Sequence, residues 1–228
     1  MEKRHKKTLP RTLDWGAACA KVGLAIILFI PALLTVKYAD TPAIRRDAVK
    51  VAIGAEKTQP KELVKIYSIV KSNHPGIADK EAWKISTAIF GESARRDLDP
   101  MLVLAVIKVE SGFRNRVLSP MGARGIMQIM PETGKYLSEE LFRVDGFDAQ
   151  TFMPHHLDDP VLNIKLGVYY LDGLKRQFRN LNLALLAYNL GPGEIQNRLD
   201  NNIHFSDDYA AVVLNAYREY KKAPAQLF

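Results

Sequence analysis

The chain has one cysteine in 228 residues, Cys19, and that scarcity removes two classes of protein at once. A single thiol allows no disulfide framework, and without a cluster there is no thiolate metal site. Cys19 itself lies within an apolar run and ahead of its most apolar part, so it is not placed as a lipid acceptor and reads as a small membrane-helix residue. Low-complexity tracts are also missing. With 47% hydrophobic and 25% charged residues, the balance is that of a folded chain. Strand-like alternation is absent after residue 40, which leaves helices as the building material. Net positive charge is scarce where a nucleic-acid binder would need it. Of the net charge of +7, residues 1–37 supply +5, from seven Lys and Arg against Glu2 and Asp14, leaving +2 for the rest. The basicity belongs to a tail, and nucleic acid is excluded as the expected partner.

What stands beside that tail explains it. Residues 17–36 read AACAKVGLAIILFIPALLTV, about the ~20 residues a helix needs to cross a bilayer. Lys21 lies near the start, where a long side chain can reach the interface. Trp15 and Tyr38 flank the run as interfacial aromatics, and the basic residues in front predict a cytoplasmic N-terminus. A cleaved signal peptide is the alternative, but a cut after Val36 would put Lys37 or Asp40 where a small residue belongs. The expected organisation is a cytoplasmic tail (1–16), a single transmembrane anchor (17–36), a helical stalk or linker (37–75) and a folded domain (76–222) held outside the cytoplasmic membrane. No internal repeat is present.

The domain reads as all-α. Pro60 opens an amphipathic stretch with Leu63, Ile66, Ile69 and Val70 at helical spacing, stopped by Asn73-His74-Pro75-Gly76. A second runs from about Ile77 to Asp97. Asp99 then serves as an N-cap and Pro100 as a first-turn residue for the stretch MLVLAVIKVES, which Gly112 ends in a left-handed position. Residues 114–134 read as loop and turns, and residues 143–158 as a polar, irregular insert. Helices follow at about 159–178, 182–190, 193–200 and 206–221.

The helix ending at Ser111 carries a carboxylate, Glu110, beside Val103, Val106, Ile107 and Val109. An apolar wall disfavours the charged form and raises a carboxyl pKa, and an acid still protonated near neutral pH suits glycosidic bond cleavage. A glutamate at a helix end that simply reaches solvent is the plainer reading of this residue alone. Two further segments change that. GARGIMQIMP (122–131) presents Gln128 from a loop wedged by Ile126, Met127 and Ile129, and ALLAYNLGPG (184–193) ends an apolar helix in Tyr188-Asn189. Three apolar elements in a row therefore deliver polar residues next to glycine-containing turns, as a cleft lined by helix ends requires. Glu92, in a second Glu-Ser pair, sits mid-helix and reads as a surface residue. His155-His156-Leu157-Asp158-Asp159 suggests a metal cluster, but neighbouring side chains rarely converge on one ion, and Asp159-Pro160 reads as a helix start. No metal or cofactor is expected. Tyr169 and Tyr170 read as core and groove wall.

ESGF, SPMGARGIMQIMP and AYNLGPG, in this order and spacing, resemble the motifs of the lytic transglycosylases with a soluble-transglycosylase-type catalytic domain. The resemblance runs from near Ile85 to the last helix. It implies a lysozyme-like fold and cleavage of the β-1,4 bond between N-acetylmuramic acid and N-acetylglucosamine in peptidoglycan, leaving 1,6-anhydro ends. It further implies that Glu110 is the sole catalytic acid and base, and that Ser111 helps hold the substrate or the glutamate. Met127 and Gln128 would line the saccharide groove, with Tyr188 and Asn189 near the carboxylate. Tyr209 falls at a tyrosine of the last motif, with FSDDY where the family often has Glu-Thr before it. The expected partners are peptidoglycan glycan strands, the cytoplasmic membrane through the anchor, and an envelope-machinery protein at the stalk. A hydrolytic muramidase of the same fold and a wall-binding scaffold without catalysis are the alternatives.

Overall fold

A helix that is apolar on every side must be surrounded by others, and Pro100–Ser111 is. The computed structural model describes residues 61–145, 152–204 and 206–224, so the tail, the anchor and the stalk up to residue 60 lie outside the described residues. In chain order the helices are α1 (Lys61–Asn73), α2 (Asp79–Arg95), α3 (Pro100–Ser111), α4 (Pro131–Asp145), α5 (Pro160–Phe178), α6 (Leu181–Leu190), α7 (Pro192–Asp200) and α8 (Asp208–Lys222), with a 3₁₀ turn at Pro154–Asp158 before α5. No described residue lies in a strand. Two isolated antiparallel bridges, Leu118 with Arg124 and Arg124 with Ile129, pin the long loop between α3 and α4. Among the described residues no helix is long and apolar enough to cross a membrane.

From Pro100 to Ile107 every residue of α3 is buried, packed against α1, α2 and, most extensively, α8. Its start is built as the sequence predicts. The Asp99 carboxylate accepts from the Met101 amide at 2.9 Å, and Pro100 occupies the first turn. The other Asp99 oxygen accepts from the Tyr217 hydroxyl at 2.8 Å and from Lys221 Nζ at 2.7 Å, fastening the end of α8 to the start of α3. The two helices run past each other in opposite directions, so the start of α8 arrives at the end of α3, where Glu110 lies.

Three readings change. Lys61–Asn73 is not a stalk helix standing clear of the domain. Leu63, Ile66, Ile69 and Val70 are buried, and Tyr67 stacks on Trp83 with ring centroids 4.1 Å apart. An amphipathic stripe looks the same whether it faces a domain core or another partner, so its spacing could not choose. Residues 131–134, read as loop, begin α4. Pro131 starts this helix, because a first-turn proline gives up an amide that has no intrahelical acceptor anyway. The insert is not irregular throughout: its 3₁₀ turn buries Leu157 completely, and just after it Asp159 caps α5 by accepting from the Val161 and Leu162 amides at 2.9 Å each.

Candidate active site

Glu110 is the penultimate residue of α3. Gly112, at φ 59° and ψ 38°, terminates the helix and returns its amide to the Lys108 carbonyl at 3.1 Å. Phe113 follows, also at positive φ and fully buried, and pulls the chain back into the core. The carboxylate thus stands at the rim of an apolar helix. Burial pushes its pKa up from 4.5 to about 7, against the opposing effect of the Tyr209 hydroxyl, which donates to Oε1. These two causes account for the shift, and no second carboxylate among the described residues acts on it. The Tyr209 pKa is raised well above its ordinary value by burial and by the Glu110 charge, so this hydroxyl keeps its proton and stays a donor.

The loop after α3 is organised around Ile126-Met127-Gln128. Ser111 Oγ donates to the Ile126 carbonyl at 2.7 Å, joining the residue beside Glu110 to the loop. Met127 is fully buried. Its amide donates to Asn163 Oδ1 at 2.7 Å and its carbonyl accepts the Tyr188 hydroxyl proton at 2.9 Å. Gln128, held at φ 49°, donates from Nε2 to the carbonyls of Val117 at 3.0 Å and Gly125 at 2.9 Å. Gly125, at φ 79°, is required as glycine: a Cβ there would stand 2.2 Å from the Leu157 carbonyl oxygen and 2.3 Å from Asn163 Nδ2. Arg124 closes the outer side through a two-point ion pair with Asp158 at 2.7 and 3.2 Å.

Of the seven residues expected at the site, Glu110 and Tyr209 are in direct contact. Tyr188 is close enough for the Glu110 charge to raise its pKa, after burial, which is the larger cause. Ser111, Met127 and Gln128 form the scaffold under them: the first two are buried, and the Gln128 amide nitrogen is occupied by the loop itself. Asn189 is exposed at the end of α6. Spacing alone missed Asn163. Asn163 is a polar residue on the buried stripe of α5, with Pro160, Ile164 and Gly167, and that misplacement was its signal. The Tyr170 ring lies 5.3 Å from that of Tyr188.

The acidic members of the histidine cluster face cations, Asp158 with Arg124 and Asp159 with Lys84 at 2.9 Å. Among the described residues no group of three His, Cys, Asp or Glu is placed to hold a metal. A separate polar cleft of about 540 Å³ opens beside Glu81, Lys84, Asn115, Arg116 and His155, and none of the seven site residues lines it. At Glu110, by contrast, a carboxyl with a pKa of about 7 meets a hydroxyl donor.

Residues 87–210, more than half of the chain, match the family described as Transglycosylase SLT domain. The chain belongs to the SLT domain family. A relative, the soluble lytic murein transglycosylase of Escherichia coli, is 34% identical over 118 residues, 51% of this chain and 18% of that protein. The membrane-bound lytic murein transglycosylase C of Mannheimia succiniciproducens is 28% identical over 152 residues, 63% of this chain and 40% of that protein. Among solved structures, an inactive mutant of the lytic transglycosylase Slt of Pseudomonas aeruginosa superposes with a TM-score of 0.52 at 28% identity, over 62% of this chain and 25% of that one. This SLT chain thus spans less than half the length of these relatives. Its all-helical, lysozyme-like fold is the one expected.

Proposed function

We propose that the chain is a peptidoglycan lytic transglycosylase. The observation that carries the reading is the solitary carboxyl. Most glycosidases flank the scissile bond with two carboxylates, whereas here one, with its pKa near 7 and a single hydroxyl donor, must serve as acid and then as base. Protonated Glu110 gives its proton to the glycosidic oxygen as the bond to C1 of N-acetylmuramic acid breaks. The 2-acetamido oxygen closes on C1 and takes up the developing positive charge, the substrate-assisted course that needs no second carboxylate. Glu110, now ionised and steadied by the Tyr209 proton, removes the proton from the C6 hydroxyl. The C6 oxygen attacks C1, releases the acetamido oxygen and leaves a 1,6-anhydro ring. No water is consumed. The names of the relatives, lytic murein transglycosylases, support the same substrate.

The apolar run 17–36 behind its basic tail supports anchoring in the cytoplasmic membrane with the domain on the far side, and one relative is named membrane-bound. Residues 37–60 then form a linker offered to a partner in the envelope machinery. Digestion of purified peptidoglycan, followed by mass spectrometry, tests the activity. Anhydro-ended muropeptides that vanish with Glu110→Gln are expected, and reducing ends would point to hydrolysis instead. For the anchor, alkali-resistant sedimentation with membranes that is lost on deleting residues 1–36 is the expected result.

A further inference from the structure

We infer that Asn163 is a positioning residue for this reaction, acting through Met127 on the hydroxyl of Tyr188; the inference rests on the function proposed above. Asn163 is wholly buried in the first turn of α5. Its Oδ1 accepts from the Met127 amide at 2.7 Å, and its Nδ2 donates to the carbonyls of Arg124 and Leu157 at 2.9 Å each. One side chain thereby grips the loop at two points and the 3₁₀ turn at a third. Two glycines leave room for the arrangement. A Cβ on Gly125 would collide with Asn163 Nδ2, and one on Gly167 would come 2.5 Å from Met127 Sδ.

The consequence falls on Tyr188. A phenol has one proton to donate, and Tyr188 gives it to the Met127 carbonyl at 2.9 Å. Its oxygen is left with lone pairs alone for whatever approaches beside Glu110, so it can meet an N–H or O–H of the sugar but cannot donate to the carboxylate. The titratable groups facing this corner are Tyr209 from α8 and Tyr170 from α5. Releasing the Met127 amide would let the strained segment at Gln128 relax and free the Tyr188 proton to turn toward Glu110. A second donor there would favour the ionised carboxylate, the wrong state for the first proton transfer.

The test uses the full chain, its Asn163→Ala, Asn163→Asp and Tyr188→Phe forms and the Asn163→Ala/Tyr188→Phe pair, with anhydro-product release from peptidoglycan followed against pH and folded protein monitored by circular dichroism. For Asn163→Ala, kcat is expected to fall by about tenfold or more at a KM within roughly threefold of wild type. The alkaline limb of its pH profile should move to lower pH. Adding Tyr188→Phe, which removes the wandering proton, should return that limb toward its wild-type position, and the double variant should be no worse than the poorer single one. Asn163→Asp, kept protonated by its burial, retains the acceptor for the Met127 amide and one donated bond in place of two, and should recover part of the turnover at acidic pH; it carries the test if Asn163→Ala does not fold. Additive losses with an unmoved limb, or an Asn163→Asp form without any recovery, would overturn the role of Asn163. A folded wild type that releases no anhydro product would count against the function itself.

Discussion

The chain carries the pair Glu-Ser twice, at 92–93 on α2 and at 110–111 on α3, each on a helix with a buried face. The sequence places Glu92 on the surface, yet its side chain is only 13% exposed, with Arg95 at 3.7 Å. Glu92 Oε2 and Ser93 Oγ are buried without a hydrogen-bond partner among the described residues. At the second pair both side chains are hydrogen-bonded: Glu110 Oε1 accepts from the Tyr209 hydroxyl and Ser111 Oγ donates to the Ile126 carbonyl. Burial is thus shared by both pairs, and what sets them apart is the helix end. Glu92 is followed by more helix, whereas Glu110 stands where α3 stops and a loop, α6 and α8 converge.

Exchanging the acids should separate the pairs most widely. Glu110→Gln should lower turnover by about 10²–10⁴-fold, the range for loss of general acid–base catalysis, read as anhydro-product release. The same substitution should stabilise the fold at alkaline pH. With the folded pKa at about 7 and the ordinary value at 4.5, the cost of burying the charge is absent below the ordinary value. It grows as pH rises from 4.5 to about 7 and is complete above 7. Denaturant unfolding at pH 8 should therefore show a gain of roughly 2–3 kcal/mol for Glu110→Gln, and none at pH 4. Tyr209→Phe removes a hydrogen bond to a charged group worth about 1.5–3 kcal/mol. Turnover should fall by roughly 10–100-fold, with the alkaline limb moving to higher pH because the carboxylate has lost its donor.

The serines sharpen the contrast on a smaller scale. Ser111→Ala leaves the Ile126 carbonyl without its side-chain partner and should lower stability by about 1–3 kcal/mol. Ser93→Ala has no such bond to break and should leave the melting temperature unchanged or slightly higher. The smallest effect is expected for Glu92→Gln, with turnover on peptidoglycan within about twofold of wild type; a loss approaching that of Glu110→Gln would erase the distinction between the pairs.

Much of the fold was legible because it follows from local chemistry. Asp99, Pro100 and Gly112 bound α3 as their backbone preferences require, and the all-round apolar run between them demanded burial. Legibility failed where one pattern fits two partners. The stripe of α1 suits a stalk as well as a core, and Pro131 opens a helix as readily as it ends one. At the site, motif order pointed to Glu110, Ser111, Met127, Gln128, Tyr188, Asn189 and Tyr209. It could not say that the Gln128 amide is turned onto its own loop, or that Asn163 accepts from the Met127 amide.

By itself the sequence determined most of the helices, the ends of α3, the apolar bed of Glu110 and the family to which these belong, since all of these are written in neighbouring residues. The tertiary structure decided which Glu-Ser pair meets a hydroxyl donor. Tyr209 is 99 positions from Glu110. The two meet because Asp99 fastens the far end of α8 to the start of α3, so the opposite ends of those helices have to come together.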